Sequence, residues 1–150
     1  MLPTAKKTKG AKAPAVRFVC NGDGTVTDNL TGLTWIQDPS TLGEKWGSPG
    51  KPSRMDWQDA IKNCKKLNFA GHKDWRLPTM KELQSLVDYK KRDPAINTEF
   101  FPNAQSSWYW SSTPVAGYSG YAWYVYFGNG FVYHNTKAGS SYVRAVRSSQ

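Results

Sequence analysis

The sequence predicts an α+β domain, two short helices packed on a small, mostly antiparallel sheet. Three observations carry that expectation. Short apolar runs punctuated by Gly and Asn open the chain, two amphipathic stretches with helix-start signals occupy its middle, and its last third alternates large side chains with the period of a strand. The 150 residues match one ordinary domain with one core, and an aromatic content of 14% supplies large side chains to fill it, which excludes full-length disorder. No apolar run approaches the roughly 20 residues that carry a helix across a bilayer, so no membrane span is expected.

The net charge of +9 is unevenly spread. Residues 1–16 hold four lysines (Lys6, Lys7, Lys9, Lys12) and no acid; residues 17–100 hold 13 basic and 11 acidic side chains; residues 101–150 hold Lys137, Arg144 and Arg147 and no acid. The first segment, rich in Ala, Thr, Pro and Gly, has little to bury and reads as a disordered basic tail, with the folded domain at 17–150. A plain linker and a polyanion contact both fit the tail, although four lysines without arginine or interleaved aromatics are a weak nucleic-acid signal. No apolar segment follows the lysines, so this is no signal peptide as it stands; a mature fragment whose leader was removed would look the same.

The elements follow in order. Residues 17–20 and 25–28 flank Asn21-Gly22-Asp23-Gly24, which supply the positive φ of a tight turn, and a second turn at 29–32 leads to a third apolar run at 33–36. The acidic loop lacks the alternating acids and distal Glu of a calcium-binding helix-loop-helix, and a turn explains it better than a metal does. Residues 38–52, rich in Gly and Pro, read as irregular. Asp56 caps a helix running to about Asn68, with Trp57, Ala60, Ile61, Cys64 and Leu67 on one face. Thr79 and Glu82 form a capping box for a second helix ending near Tyr89, with Met80, Leu83, Leu86 and Val87 as its buried stripe. Strands are expected at 108–112, 121–127, 131–134 and 141–147, with the tightest hairpin at Gly128-Asn129-Gly130. In the second of these, Trp123, Val125 and Phe127 are assigned inward and Tyr124 and Tyr126 outward, because each buried Tyr hydroxyl would need a partner. Trp75, Leu77, Leu83, Leu86, Trp123, Val125 and Val146 form the expected core.

Signatures of catalysis are poor. The chain has two histidines, His72 and His134, two cysteines, Cys20 and Cys64, and no carboxylate beyond Glu99. It lacks G-x-S-x-G, the P-loop, H-E-x-x-H and CxxC, so neither enzyme activity, nor a metal site, nor a cofactor is expected. An acid/base pair among Asp74, Glu82 and Asp88 is weakened by the capping role of Glu82. A Cys20–Cys64 disulfide is compatible with the count, and a buried free thiol at Cys64 equally fits its place on the apolar face of a helix.

Binding is better supported. Residues 101–150 hold 13 of the 21 aromatics, nine serines and five glycines, a mixture suited to contact surfaces because Tyr offers large amphipathic area and Ser, Gly and Asn adaptable hydrogen bonds. Alternation puts Tyr124, Tyr126, Phe131 and Tyr133 on one face, a patch larger than solubility favours. The candidate ligand-binding residues are Tyr124, Tyr126, Asn129, Phe131, Tyr133, His134, Asn135, Thr136, Ser140 and Ser141. The expected partner is a protein or glycan ligand, and a homo-oligomer is compatible with such a patch.

Several motifs occur in a telling order: Asn21-Gly-Asp-Gly-Thr-Val-Thr-Asp28, Leu30-Thr-Gly-Leu-Thr-Trp35, Asp74-Trp-Arg-Leu-Pro-Thr79 with Lys81-Glu-Leu83, Tyr109-Trp-Ser-Ser-Thr113, Ala122-Trp123 and Tyr142-Val-Arg-Ala-Val-Arg147. Together they resemble the Lcl C-terminal domain family over residues 17–147. That family is similar to C-type-lectin-like domains of the formylglycine-generating type, so the resemblance implies a C-type-lectin-like fold with an irregular ligand-facing surface. The enzymes of the wider group rely on a late cysteine pair that this chain lacks, and their oxidase activity is not carried over. The collagen-like adhesin that names the family implies sulfated glycosaminoglycans, trimeric assembly and a bacterial cell-surface or secreted location. Variable proteins of diversity-generating retroelements also use this domain. Their adenine mutagenesis of Asn-type codons excludes Trp, Met, Gln, Lys and Glu, and between Ala122 and Arg147 that set is represented only by Trp123 and Lys137. The expectation is a non-enzymatic ligand-binding module whose 122–147 segment has a composition compatible with such diversification; the alternatives are a glycosaminoglycan-binding adhesin domain, a structural or assembly module and, weakest, a formylglycine-generating-type enzyme.

Overall fold

The computed structural model describes residues 16–149, and the tail at 1–15 lies outside the described residues. Among them the strands are β1 (Phe18–Cys20), β2 (Thr25–Asp28), β3 (Leu33–Ile36), β4 (Gly47–Ser48), β5 (Lys51–Pro52), β6 (Trp108–Val115), β7 (Tyr118–Tyr126), β8 (Phe131–Thr136) and β9 (Val146–Ser148), and the α-helices are α1 (Trp57–Lys66) and α2 (Met80–Gln84). The sheets are antiparallel: one in the order β1-β2-β3-β9, one in the order β6-β7-β8, and the β4-β5 ribbon. The architecture is α+β, as the sequence predicts.

The opening meander forms where the turn residues place it. Asp23 accepts hydrogen bonds from the Thr25 N–H (3.0 Å) and hydroxyl (2.6 Å), which close the loop as a turn. Gly24 has φ +90°, and a Cβ there would lie 2.7 Å from the Phe69 ring, so two independent demands require glycine. Asp28 is fully buried, yet Arg17 grips it with Nε and Nη2, both at 3.0 Å, and the Leu30 N–H adds a third bond. Burial raises its pKa, but these hydrogen bonds together hold the carboxyl below the ordinary range. Glu82, clasped by Arg76 at 2.7 and 2.8 Å, is lowered chiefly by that guanidinium.

Both carboxylates therefore stabilise the fold above about pH 4, where the unfolded chain ionises them, and this contribution is lost as pH falls through their lower folded values. We expect the melting temperature to fall between pH 5 and pH 2, with a smaller acid-dependent fall in Asp28→Asn. Parallel pH profiles for the two proteins would contradict the assignment.

Helix α1 matches expectation: the Asp56 side chain accepts from the Asp59 N–H at 2.8 Å, and Ala60 and Cys64 are buried. Helix α2 has the expected capping box but stops at Gln84, short of Tyr89. The Ser85 hydroxyl turns back to the Glu82 carbonyl (2.6 Å), Leu86 and Val87 donate to residues three back, and the Ser85 carbonyl is taken by Arg17 Nη2 at 2.7 Å. Continuing the helix to Tyr89 would need that carbonyl for the Tyr89 N–H. Leu86 and Val87 are buried as expected, but from a turn, and Met80 is only half-buried.

The expected strand at 141–147 is also revised. Only Val146–Ser148 forms β9; Ser141 and Tyr142 make single bridges to Met55 and Tyr109, because Arg144 diverts the segment through the core. Fully buried, its guanidinium donates to the carbonyls of Ile36 (2.9 Å) and Gln37 (2.8 Å) and lies 5.0 Å from the Phe101 ring centroid. Cys20 and Cys64 are free thiols, one exposed and one buried, and burial pushes the Cys64 thiol up.

The β6-β7-β8 sheet lies between two core clusters. Tyr109, Val125 and Phe127 pack with Leu83, Leu86 and Val87, while Trp110, Ala122 and Tyr124 pack with Ala60, Cys64, Trp75 and Leu77. Both faces of central β7 are thus covered near its C-terminal half, and this overturns two expectations about that strand. Tyr124, expected outward, is buried (9% exposed), stacked at 4.1 Å on Trp108 and 5.4 Å from Trp110. Trp123, expected in the core, is only half-buried. It stands on the face of Val125 but beyond the side chains of the α2 region that cover Val125 and Phe127. The other expected core residues are buried.

Candidate functional site

The site begins with a bulge. Trp110 pairs with Tyr124 and Pro114 with Ala122, so β6 carries two more residues than β7 over that interval. The hydroxyls of Ser111 and Thr113 hold the distortion: Ser111 Oγ donates to the Trp123 carbonyl (2.7 Å) and accepts from the Thr113 N–H (3.2 Å), and Thr113 Oγ1 accepts from the Met80 N–H at the start of α2 (2.9 Å). Trp57 Nε1 from α1 donates to the Ser111 carbonyl (2.8 Å). Beyond the bulge the β6-β7 hairpin projects past the helices and closes at Ala116-Gly117 between paired Val115 and Tyr118, Gly117 having φ +81°. This two-residue turn is tighter than the one expected to be tightest, since β7 and β8 leave four residues between paired Tyr126 and Phe131.

The projecting end holds an open cavity of about 390 Å³ lined by Val115, Tyr118, Tyr121, Trp123 and His134. Tyr121 and Trp123 share a face of β7, and His134 pairs directly opposite Trp123 on β8. The rings meet as perpendicular walls: His134 stands at 82° to both Trp123 (5.3 Å) and Tyr121 (5.7 Å), and Tyr118 at 82° to Tyr121 (6.4 Å). Tyr133 stacks on His134 at 4.6 Å and 20°. His134 Nδ1 is enclosed without a hydrogen-bond partner. No lining residue is charged at Asp, Glu, Lys or Arg.

The residues expected to bind ligand are spread along β7, β8 and the segments that flank β8, from the cavity to the 127–130 turn at the other end of the sheet. Register places Tyr124, Tyr126, Phe131 and Tyr133 on one face, as alternation predicts, but only Phe131 (66%) and Tyr133 (57%) are well exposed. Tyr124 is buried, Tyr126 is half-buried against Trp108 at 4.9 Å, and Ser141 is buried in two backbone hydrogen bonds with Met55. Asn129 is exposed at the turn, accepting from the Phe131 N–H at 3.0 Å, while half-buried Asn135 accepts from the N–H of exposed Thr136 at 2.9 Å. Ser140 lies apart, beside a polar groove with Lys45, Arg54, Asp56 and Lys62. His134 alone of the set lines the aromatic cavity. Tyr118, Tyr121 and Trp123 were missed; the available signal was Tyr121 two residues before Trp123, which puts them on one face.

The acids and motifs act elsewhere. Asp74 is held by Arg147 (2.7 and 3.3 Å) and Glu82 by Arg76, so these two carboxylates are engaged in ion pairs. Among the described residues no group of three or more His, Cys, Asp or Glu side chains converges as a metal site. The recurrent motifs do structural work: Trp75 Nε1 donates to the Phe69 carbonyl (3.1 Å), Thr79 caps α2, 111–113 hold the bulge, and Arg144 and Arg147 tie the C-terminal segment down. No curated protein matches the chain. The family model for the Lcl C-terminal domain matches residues 24–147, the span in which these structural motifs lie, and the chain belongs to that family.

Proposed function

We propose that the chain is a non-enzymatic ligand-binding module on a C-type-lectin-like scaffold, and that its contact surface is the projecting end of the β6-β7-β8 sheet. The observation that carries this reading is the open aromatic cavity, with exposed Phe131 and Tyr133 on the opposite face of the same sheet. Concave apolar surface with a few polar atoms suits small ligands or the tip of a larger one, and exposed aromatics suit a protein or glycan partner. The same edge, from Tyr124 to Ser141, is the segment whose composition fits retroelement diversification, and a reverse transcriptase gene beside an adenine-mutated repeat is the genomic test of that idea. A cell-surface or secreted setting agrees with the adhesin that names the family. Binding of the domain to glycan and peptide arrays tests the reading: we expect saturable signals lost in Tyr121→Ala, and signals indifferent to it would count against this surface.

A second reading, adhesion to sulfated glycosaminoglycans, draws on the acid-free segment 101–150 and the lysines of the tail. Deleting residues 1–15 is then expected to weaken heparin binding, by a margin that shrinks at high salt, while leaving the melting temperature unchanged. Equal heparin affinity in both proteins would remove the tail from the account. The exposed edge strand β8 also suits an assembly role, for which sedimentation of the purified domain is the measurement.

A further inference from the structure

We propose that the cavity walled by Tyr118, Tyr121, Trp123 and His134 receives a trimethylammonium group, specifically that of a phosphocholine headgroup; this deepens the ligand-binding reading of the same site and rests on it. The walls decide the shape of the guest. A sugar ring stacks on one flat ring or between two parallel ones, whereas here neighbouring rings cross at 82° and line an open concave pocket suited to a compact, rounded group. They also decide its chemistry. Aromatic faces attract cations through their quadrupole, and quaternary ammonium recognition is the characteristic use of several such faces in one pocket.

A primary ammonium or a guanidinium would leave donors unsatisfied, because the lining carries no carboxylate. A trimethylammonium has no N–H to satisfy and presents methyl groups to the rings. The net charge of +9 does not forbid a cation at an indole, since Lys137 Nζ already stands 4.2 Å from the Trp57 ring centroid. It does disfavour a cationic peptide bearing trimethyllysine, and it favours a zwitterion whose phosphate faces a segment without acids.

The test is calorimetric titration of the full chain with phosphocholine, phosphoethanolamine and 3,3-dimethylbutyl phosphate, in which carbon replaces the quaternary nitrogen. Saturable phosphocholine binding is expected, at least about tenfold tighter than either analogue, and about tenfold weaker in Trp123→Ala and in Tyr121→Ala but retained in Trp123→Phe. Thermal melts confirm that the variants are folded. Phosphatidylcholine vesicles separate the lipid from the free headgroup: co-sedimentation competed by free phosphocholine is expected if both are recognised through the same cavity. Equal binding of the carbon analogue, indifference to Trp123→Ala, tighter binding of a trimethyllysine peptide, or no saturable phosphocholine binding would overturn the proposal. A Tyr121-dependent array ligand without phosphocholine binding would overturn this inference and leave the broader binding reading standing.

Discussion

Trp110→Ala is expected to remove about 3–5 kcal/mol of stability, and Trp123→Ala about 1 kcal/mol or less, although both are tryptophans in the same three-stranded sheet. Trp110 is fully buried, its Nε1 donates to the Met55 carbonyl at 3.0 Å, and its ring contacts buried Tyr124. Truncation therefore leaves a cavity and removes one of the two hydrogen bonds that the Met55 carbonyl accepts, the other coming from the Ser141 N–H. Trp123 borders an open cavity, so water and neighbouring rings replace it with little loss. Urea denaturation of the two variants measures the contrast. Equal destabilisation would mean that the cavity is not open in solution.

The second large effect falls on binding. Phe131→Ser combined with Tyr133→Ser is expected to keep the melting temperature within a few degrees of the parent, because both rings are mostly exposed. Aromatic anchors at interface centres commonly contribute about 2 kcal/mol or more each, so affinity for an array-selected protein or glycan ligand should drop by orders of magnitude. Tyr124 is left out of this variant on purpose: it sits between Trp108 and Trp110, and its removal would confuse unfolding with lost binding. Retained affinity in the folded double variant would move the contact surface away from the β8 edge.

The local elements were legible because their signals are local. Asp56 and the Thr79/Glu82 box mark helix starts through side chains within one turn, and the 21–24 turn is written in its own residues. Failures came where distant residues intervene. Nothing near Ser85 announces that Arg17 will occupy its carbonyl and end α2 early, and nothing near Ser141 announces that Arg144 will reach the carbonyls of Ile36 and Gln37. The face of β7 was misjudged at Trp123 and Tyr124 because alternation assigns sides correctly but cannot say how far each covering layer extends. Here one face is covered by the α2 region only as far as Val125, and the other by a Trp108–Tyr124–Trp110 stack. For the site, composition located the aromatic segment, while the cavity depends on a bulge held by Ser111 and Thr113 with partners on both helices.

Indole NMR of the chain labelled with ¹⁵N-tryptophan tests the central claim most directly, because the seven tryptophans report on distinct parts of the fold. During titration with phosphocholine, the Trp123 indole signal should move progressively to saturation, with Trp35, Trp75 and Trp110 unchanged in the core. Perturbation centred on Trp46 or Trp57 would contradict the placement of the ligand site in the cavity lined by Tyr121, Trp123 and His134, and a spectrum that does not respond would contradict phosphocholine as its occupant.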